Sequence, residues 1–274
     1  MSEMKSLCYI NGKIQSTDDG AIGINDLALQ RAYGVFDFGR TYNGKLFHFE
    51  RNLKRFRNSA SEILLEVPDS DEKIREVSDE LIEGSDLKTP SIRLLLTGGY
   101  SEDLSEPNFI IIAEELPIYS EKIFEGGIAV VTAEYQRELP EIKSINYLNA
   151  IRTERLRREK EVFDTLYHSK VGITECPRNN FFAFLGDTLV TPKDHVLHGV
   201  TRGVVLELAG DHFSIEERAV GIDEIGSFDE AFTTSTSKRV LPITKIEDSN
   251  IGSGAIGERT RKLMNLFDEY TQAY

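Results

Sequence analysis

Arg137-Glu138-Leu139-Pro140-Glu141-Ile142-Lys143-Ser144-Ile145-Asn146-Tyr147-Leu148 decides how the rest of this chain is read. The proline bounds a strand-like approach, and the polar residues after Lys143 open a helix. A lysine so placed can form a Schiff base with a carbonyl group once its surroundings lower its basicity. Taken alone it reads by default as an ordinary solvated lysine. The order of the segments downstream changes that reading. Glu175 stands in Ile173-Thr174-Glu175-Cys176-Pro177-Arg178-Asn179-Asn180-Phe181-Phe182. Thr191-Pro192, Gly199-Val200-Thr201-Arg202 and Thr234-Ser235-Thr236-Ser237 follow.

Around these segments the pattern is a mixture of helices and strands. Cys8–Ile14, with Asn11-Gly12 inside it, and Val35–Phe49, with Asn43-Gly44, read as hairpins. Arg51–Glu66 has apolar residues at helical spacing (Leu53, Phe56, Ala60, Ile63), and Asp69–Ile82 continues as a more polar helix. Ile92–Thr97 and Phe109–Ala113 are apolar strands separated by a polar loop, Tyr100–Pro107. Pro117–Gly127 has the Pro and Gly-Gly of a linker. Beyond it, helices are expected from Asn146 to about Lys160, at Thr201–Leu208 and at Arg259–Tyr270, with strands between them. The division is a domain over 1–117, a linker over 118–127 and a larger domain over 128–274.

The chain has 274 residues, 40% of them hydrophobic and 28% charged, which suits two folded domains with ample cores. Its net charge of -14 argues against a general nucleic-acid binder, which needs a basic face. No apolar run is long enough to span a bilayer, and Met1-Ser2-Glu3-Met4-Lys5 lacks the apolar core of a signal peptide. Two cysteines make no disulfide framework, so a reducing cytoplasm is the expected location. There is no P-loop, dinucleotide fingerprint or paired metal-ligand motif, and no metal is expected.

The ordered set IKSxNYL, TExxxxNxF and GVTR resembles the class IV aminotransferases, pyridoxal-phosphate enzymes of fold type IV. The family includes D-amino-acid aminotransferases, branched-chain aminotransferases and aminodeoxychorismate lyase. The resemblance runs from about Gly34 to Gly257. It implies an α+β, two-domain fold, a small α/β domain followed by a larger barrel-like α/β domain. It also implies a homodimer acting on an amino acid and a 2-oxo acid.

The resemblance assigns a residue to each task that the cofactor sets. Lys143 matches the lysine that holds the aldehyde and shuttles the α-proton. Glu175 matches the acid facing the pyridine nitrogen. Arg55, in Leu53-Lys54-Arg55-Phe56-Arg57-Asn58-Ser59-Ala60, matches a phosphate-binding arginine on a helix. Val200 and Thr201 open a helix whose free N–H groups and positive dipole end suit an anion. Thr236 matches a second phosphate-binding turn, and Tyr147 matches a tyrosine that some members place on the cofactor oxygen.

The substrate pattern is mixed. Tyr33-Gly34-Val35-Phe36-Asp37-Phe38-Gly39-Arg40 is similar to the family's YGxFEGxR segment, with the glycine order altered. The tyrosine of D-amino-acid members is absent at Phe36, and Thr97-Gly98-Gly99-Tyr100 replaces their Arg-x-His carboxylate trap. Arg93 matches the arginine of the branched-chain strand. Arg31, Arg93, Arg178 and Ser237 are the candidate substrate-binding residues, with Arg40 nearby, since arginine grips carboxylates bidentately. The expectation is a D-amino-acid transaminase using 2-oxoglutarate. The alternatives are a branched-chain L-amino-acid aminotransferase, a lyase of the aminodeoxychorismate type, and a binding protein of the same fold.

Overall fold

The structure is a computed structural model that describes residues 6–101 and 103–274. The N-terminal residues Met1–Lys5 lie outside the described residues. The chain forms two compact units. One comprises Met1–Pro117, Ile142–Asn146 and Tyr274; the other comprises Ile118–Glu141 and Tyr147–Ala273.

The first unit is built on an antiparallel sheet. Its elements are β1 (Leu7–Ile10), β2 (Lys13–Ser16), α1 (Leu27–Arg31), β3 (Gly34–Tyr42), β4 (Lys45–Leu46), α2 (Phe49–Glu62), α3 (Asp71–Glu83), β5 (Pro90–Thr97) and β6 (Asn108–Glu115). The strand order is β2-β1-β6-β5-β3-β4. Strand alternation sends Ile92, Leu94 and Leu96 of β5 and Phe109, Ile111 and Ala113 of β6 into one core. Helix α2 meets that core with Phe49, Leu53, Phe56 and Ala60, and α3 with Ile74, Val77 and Leu81. Helix α2 is shorter than its periodicity suggests, because Leu64 takes a left-handed φ of 61° and ends the run. Ser70 starts α3 by accepting a hydrogen bond from Lys73 N at 3.2 Å.

Ile142–Asn146, expected within the larger domain, belongs to this first unit. Ile142 is buried in the same core as Phe56 and Leu94. Phe36 N donates to Lys143 O at 2.9 Å, and Ile145 N donates to Gly34 O at 3.1 Å. The segment thus lies along the edge of β3 like a short added strand, with Ser144 bridged to Val35. Gly34 makes the fit possible: a Cβ there would lie 2.7 Å from Leu96 O and 3.2 Å from Ile145 Cδ1.

The second unit comprises α4 (Lys122–Gly126), β7 (Ile128–Glu134), α5 (Leu148–Glu159), β8 (Asp164–Ser169), β9 (Gly172–Ile173), β10 (Glu175–Cys176), β11 (Asn179–Leu185), β12 (Thr188–Thr191), α6 (Val200–Gly210), β13 (Ser214–Glu217), β14 (Glu230–Ser235), β15 (Arg239–Ile246), β16 (Ser249–Asn250) and α7 (Glu258–Gln272). Its strands run β13-β12-β11-β14-β15-β7-β8-β9, with β10 paired to β11 and β16 to β15. Ile173 N donates to Val220 O at 2.7 Å, which ties the β9 end of the sheet to the segment after β13. The sheet is therefore curled into a barrel-like form around Leu166, Phe181, Ala183, Val190, Leu241 and Ile243.

The stretch 118–127, expected as a linker, is folded into this second unit. It carries α4, whose Phe124 is buried in the same core. Gly127 ends that helix at φ 74° beneath the Thr244 side chain. Helix α5 begins at Leu148 rather than Asn146, with Tyr147 as its N-cap.

Leu94 is fully buried between the first sheet and its helices. Leu94→Ala is expected to cost about 2–5 kcal/mol, seen as a lower urea midpoint for the protein.

Candidate active site

Lys143 is held by its backbone on both sides. Its N–H donates to Ser59 Oγ on α2 at 3.1 Å, and its carbonyl accepts from Phe36 N. The half-buried ammonium lies 4.6 Å from the centre of the Phe36 ring. Arg93 reaches the same ring, 5.7 Å from the Phe36 centre, and lies 5.0 Å from that of Phe38. The first unit therefore brings Lys143 and Arg93 to one wall of β3. Glu114 on β6 anchors that guanidinium through Nε at 3.0 Å and through Nη2.

Arg55, on α2, grips the buried Asp37 of β3 bidentately, with Nε to Oδ2 and Nη2 to Oδ1 both at 2.8 Å. Asn52 donates to the same carboxylate at 2.7 Å. The pair fixes the plane of the Arg55 guanidinium. Arg31 lies exposed in the last turn of α1, its Nη1 donating to Gln30 O at 2.9 Å. Arg40 lies over the Tyr42 ring at 3.9 Å.

Glu175 sits on β10 in the second unit and is only 5% exposed. A buried carboxylate requires donors, and three converge on it. Arg137 Nη1 donates to Oε1 at 3.0 Å; Asn180 Nδ2 and Leu197 N donate to Oε2 at 3.2 and 3.1 Å. Asn180 is the asparagine of TExxxxNxF, but neither it nor Arg137 has a role assigned by the sequence. Arg137 lies 38 positions from its partner, so no local spacing reveals the pair. The only hint is a cation preceding Lys143 in the same stretch.

Asn180 also donates to Leu197 O at 2.6 Å, and so joins Glu175 to the approach to α6. Gly199 caps α6 with no side-chain hydrogen bond. A Cβ at Gly199 would fall 2.3 Å from Asn180 Oδ1, so the close approach needs glycine. The helix then opens on Val200 and the buried Thr201, whose backbone N–H groups precede the first intrahelical bond. Arg202 of the same motif turns to Glu217 at 2.7 Å and Pro192 O at 3.0 Å, and so braces α6 against β13.

Strand β14 pairs Thr234 with Asn180, which brings the Thr234–Ser237 turn beside the Glu175 hairpin. Thr234 Oγ1 is buried with no hydrogen-bond partner among the described residues. Thr236 and Ser237 are half-buried in the turn after β14. Tyr147 lies under Arg178, whose guanidinium is 5.6 Å from its ring, and Arg178 is exposed. The second unit thus gathers Glu175, Val200, Thr201 and Thr236 around Asn180.

The class IV amino-transferase family model matches residues 34–246. The D-alanine aminotransferase of Staphylococcus aureus (strain N315) is 27% identical over 276 residues, covering 97% of this chain and 98% of that one. The branched-chain-amino-acid aminotransferase-like protein 2 of Arabidopsis thaliana is 30% identical over 285 residues, 97% of this chain and 50% of that one. Among solved structures, a T.th. branched-chain amino acid aminotransferase with pyridoxamine 5'-phosphate superposes with a TM-score of 0.91 at 22% identity, covering 98% of this chain and 95% of that one. The chain belongs to the class IV aminotransferases; it is a pyridoxal-phosphate-dependent transaminase.

The residues fit that cofactor. A buried carboxylate suits a protonated ring nitrogen, while uncapped helix N–H groups and the orphaned Thr234 hydroxyl suit a phosphate. Removing the cation beside Glu175 leaves a buried charge less well balanced. Arg137→Met is expected to destabilise the protein by about 3–5 kcal/mol in a denaturant melt. Glu175→Gln is expected to keep the cofactor spectrum but slow the half-reaction about 10²–10³-fold.

Proposed function

We propose that this transaminase moves the amino group of a D-amino acid to a 2-oxo acid, with 2-oxoglutarate as acceptor. The observation that carries the reading is the likeness to D-alanine aminotransferase over nearly the whole of both chains. The likeness to branched-chain enzymes covers half of the plant relative, and in the solved structure it is one of fold.

When bound, pyridoxal phosphate supplies an aldehyde carbon and an electron-accepting ring. Lys143 is assigned to hold that carbon and to carry the substrate α-proton. Glu175, held by its three donors, is assigned to the ring nitrogen. The N–H groups of Val200 and Thr201, the Thr236 hydroxyl and the oriented Arg55 are assigned to the phosphate, and Tyr147 to the ring oxygen. Arg93, Arg31, Arg178 and Ser237 are the candidates for substrate carboxylates. Arg93 has the strongest support, because it shares the Phe36 ring with Lys143.

Holoenzyme should convert its cofactor rapidly with D-alanine or D-glutamate and slowly with L-leucine, followed by absorbance. Fast conversion by L-leucine and none by either D-amino acid would overturn the choice. Borohydride reduction and peptide mapping should label Lys143; a label on another lysine would remove it from this role.

The same reading includes a homodimer. Its support is the set of large apolar side chains left exposed: Ile24 at 78% and Leu29 at 69% in the first unit, and Leu148 at 68% and Ile151 at 69% on α5. Sedimentation velocity should give a dimer. A monomer with full activity refutes the arrangement.

A further inference from the structure

A polar cavity lies wholly in the second unit, on the side of the β10–β11 hairpin away from the Glu175 carboxylate. Register fixes the sidedness. Glu175 pairs with Asn180 and Cys176 with Asn179, so the two pairs face opposite ways. On the Asn179 side is a cavity of about 340 Å³, walled by Tyr119, Phe163 and Pro177 and charged by Asp164, Arg178 and Lys238.

Lys238 is part of its lining. It is 6% exposed, and its Nζ donates to Asn179 Oδ1 at 3.0 Å. Among the described residues that is the one hydrogen bond its ammonium makes, although an ammonium carries three N–H groups. Asn179 turns its amide nitrogen to Asp164 Oδ2 at 2.6 Å, and Thr165 N donates to Asp164 Oδ1 at 2.8 Å. Both oxygens of Asp164 are therefore already accepting bonds from the fold. Burial pushes the Asp164 carboxyl up, against the opposing pull of Lys238.

The other charges in the lining, Glu154 and Arg157, are already engaged. Arg157 donates to Glu154 at 2.9 Å and to Val162 O at 3.1 Å. Hydrogen bonding to Arg157 pulls the Glu154 carboxyl down to about 2. Arg178 differs: it lies exposed at the rim and forms no hydrogen bond or ion pair among the described residues, its contacts being with the Tyr147 ring and, through charge alone, with Asp164. The cavity therefore offers a buried ammonium with unused donors, an arginine at its mouth, and aromatic walls. Tyr119 and Phe163 stand edge to face, 6.1 Å apart.

We propose that this cavity binds a small organic monocarboxylate with an apolar body, on the face of the hairpin opposite Glu175. The carboxylate lies between Lys238 and Arg178, and the body packs on Tyr119, Phe163 and Pro177. A cationic ligand is disfavoured, because Arg157, Arg178 and Lys238 outnumber Glu154 and Asp164 in the lining. A multiply charged anion is disfavoured, because the carboxylates of Glu154 and Asp164 share the lining with Tyr119, Phe163 and Pro177. The inference rests on the second unit alone, and it assigns Arg178 to this cavity instead of to the transamination substrate.

The test is calorimetric titration of holoenzyme with 3-phenylpropanoate, which has neither an amino nor an oxo group and cannot turn over. Ala150 lines the cavity from α5, so Ala150→Trp fills it without removing a charge. Lys238→Met removes the ammonium. Wild type is expected to bind one probe per chain, and each variant to bind at least about tenfold more weakly. Equal affinity in wild type and Ala150→Trp places the probe elsewhere, the reacting site included, and overturns the proposal. So does an absence of binding heat in wild type. If Lys238→Met fails to fold, Ala150→Trp decides alone, with a thermal melt confirming that it is folded. Failure here leaves the cofactor half-reactions untouched, and the two readings fall separately.

Discussion

Burying the carboxylate of Glu175 is the constraint on which the second unit's chemistry depends. A carboxylate at 5% exposure survives only if its lone pairs are filled. Arg137, Asn180 and Leu197 N fill them, and each satisfies the carboxylate from a different part of the chain. Asn180 has a second task, because its amide also holds Leu197 O and fixes the approach to α6. The glycine at 199 follows from that contact, and so does the uncapped start of the helix. A requirement for hydrogen bonds at one carboxylate thus places a helix N-terminus in defined relation to it.

In the first unit the equivalent constraint is a strand edge. Lys143 cannot be positioned by its long, flexible side chain, so its backbone is positioned instead. The peptide groups of Gly34 and Phe36 bond the segment, Ile142 is buried, and Ser59 takes the Lys143 N–H. The ammonium then lies over the Phe36 ring. A cation–π contact of this kind directs a lysine without neutralising it.

The arginines show how an acidic chain arranges local positive charge. Arg55, Arg93, Arg137 and Arg202 each face a carboxylate within the fold, and each is oriented by it. These contacts are structural in the first place, because a planar guanidinium held along one edge keeps its direction. Arg202 illustrates the limit of motif reading. It closes the GVTR segment, yet its contacts are with Glu217 and Pro192 O, so it braces the helix.

The sequence by itself determined the family and the order of the chemically important segments, because IKSxNYL, TExxxxNxF and GVTR are local patterns. Periodicity located α2, α3 and the apolar strands β5 and β6, since a buried face repeats at the helix or strand period. It misjudged the end of α2 at Leu64, the start of α5 and the character of 118–127, where a backbone conformation or a distant contact decides. Only the tertiary structure decided that 142–146 joins the first unit, and that Arg137 and Asn180 serve Glu175. It alone showed that Asp164, Asn179 and Lys238 assemble behind the same hairpin. Most of those outcomes depend on strand register and on contacts between distant residues; TExxxxNxF records Asn180 locally but not what it bonds.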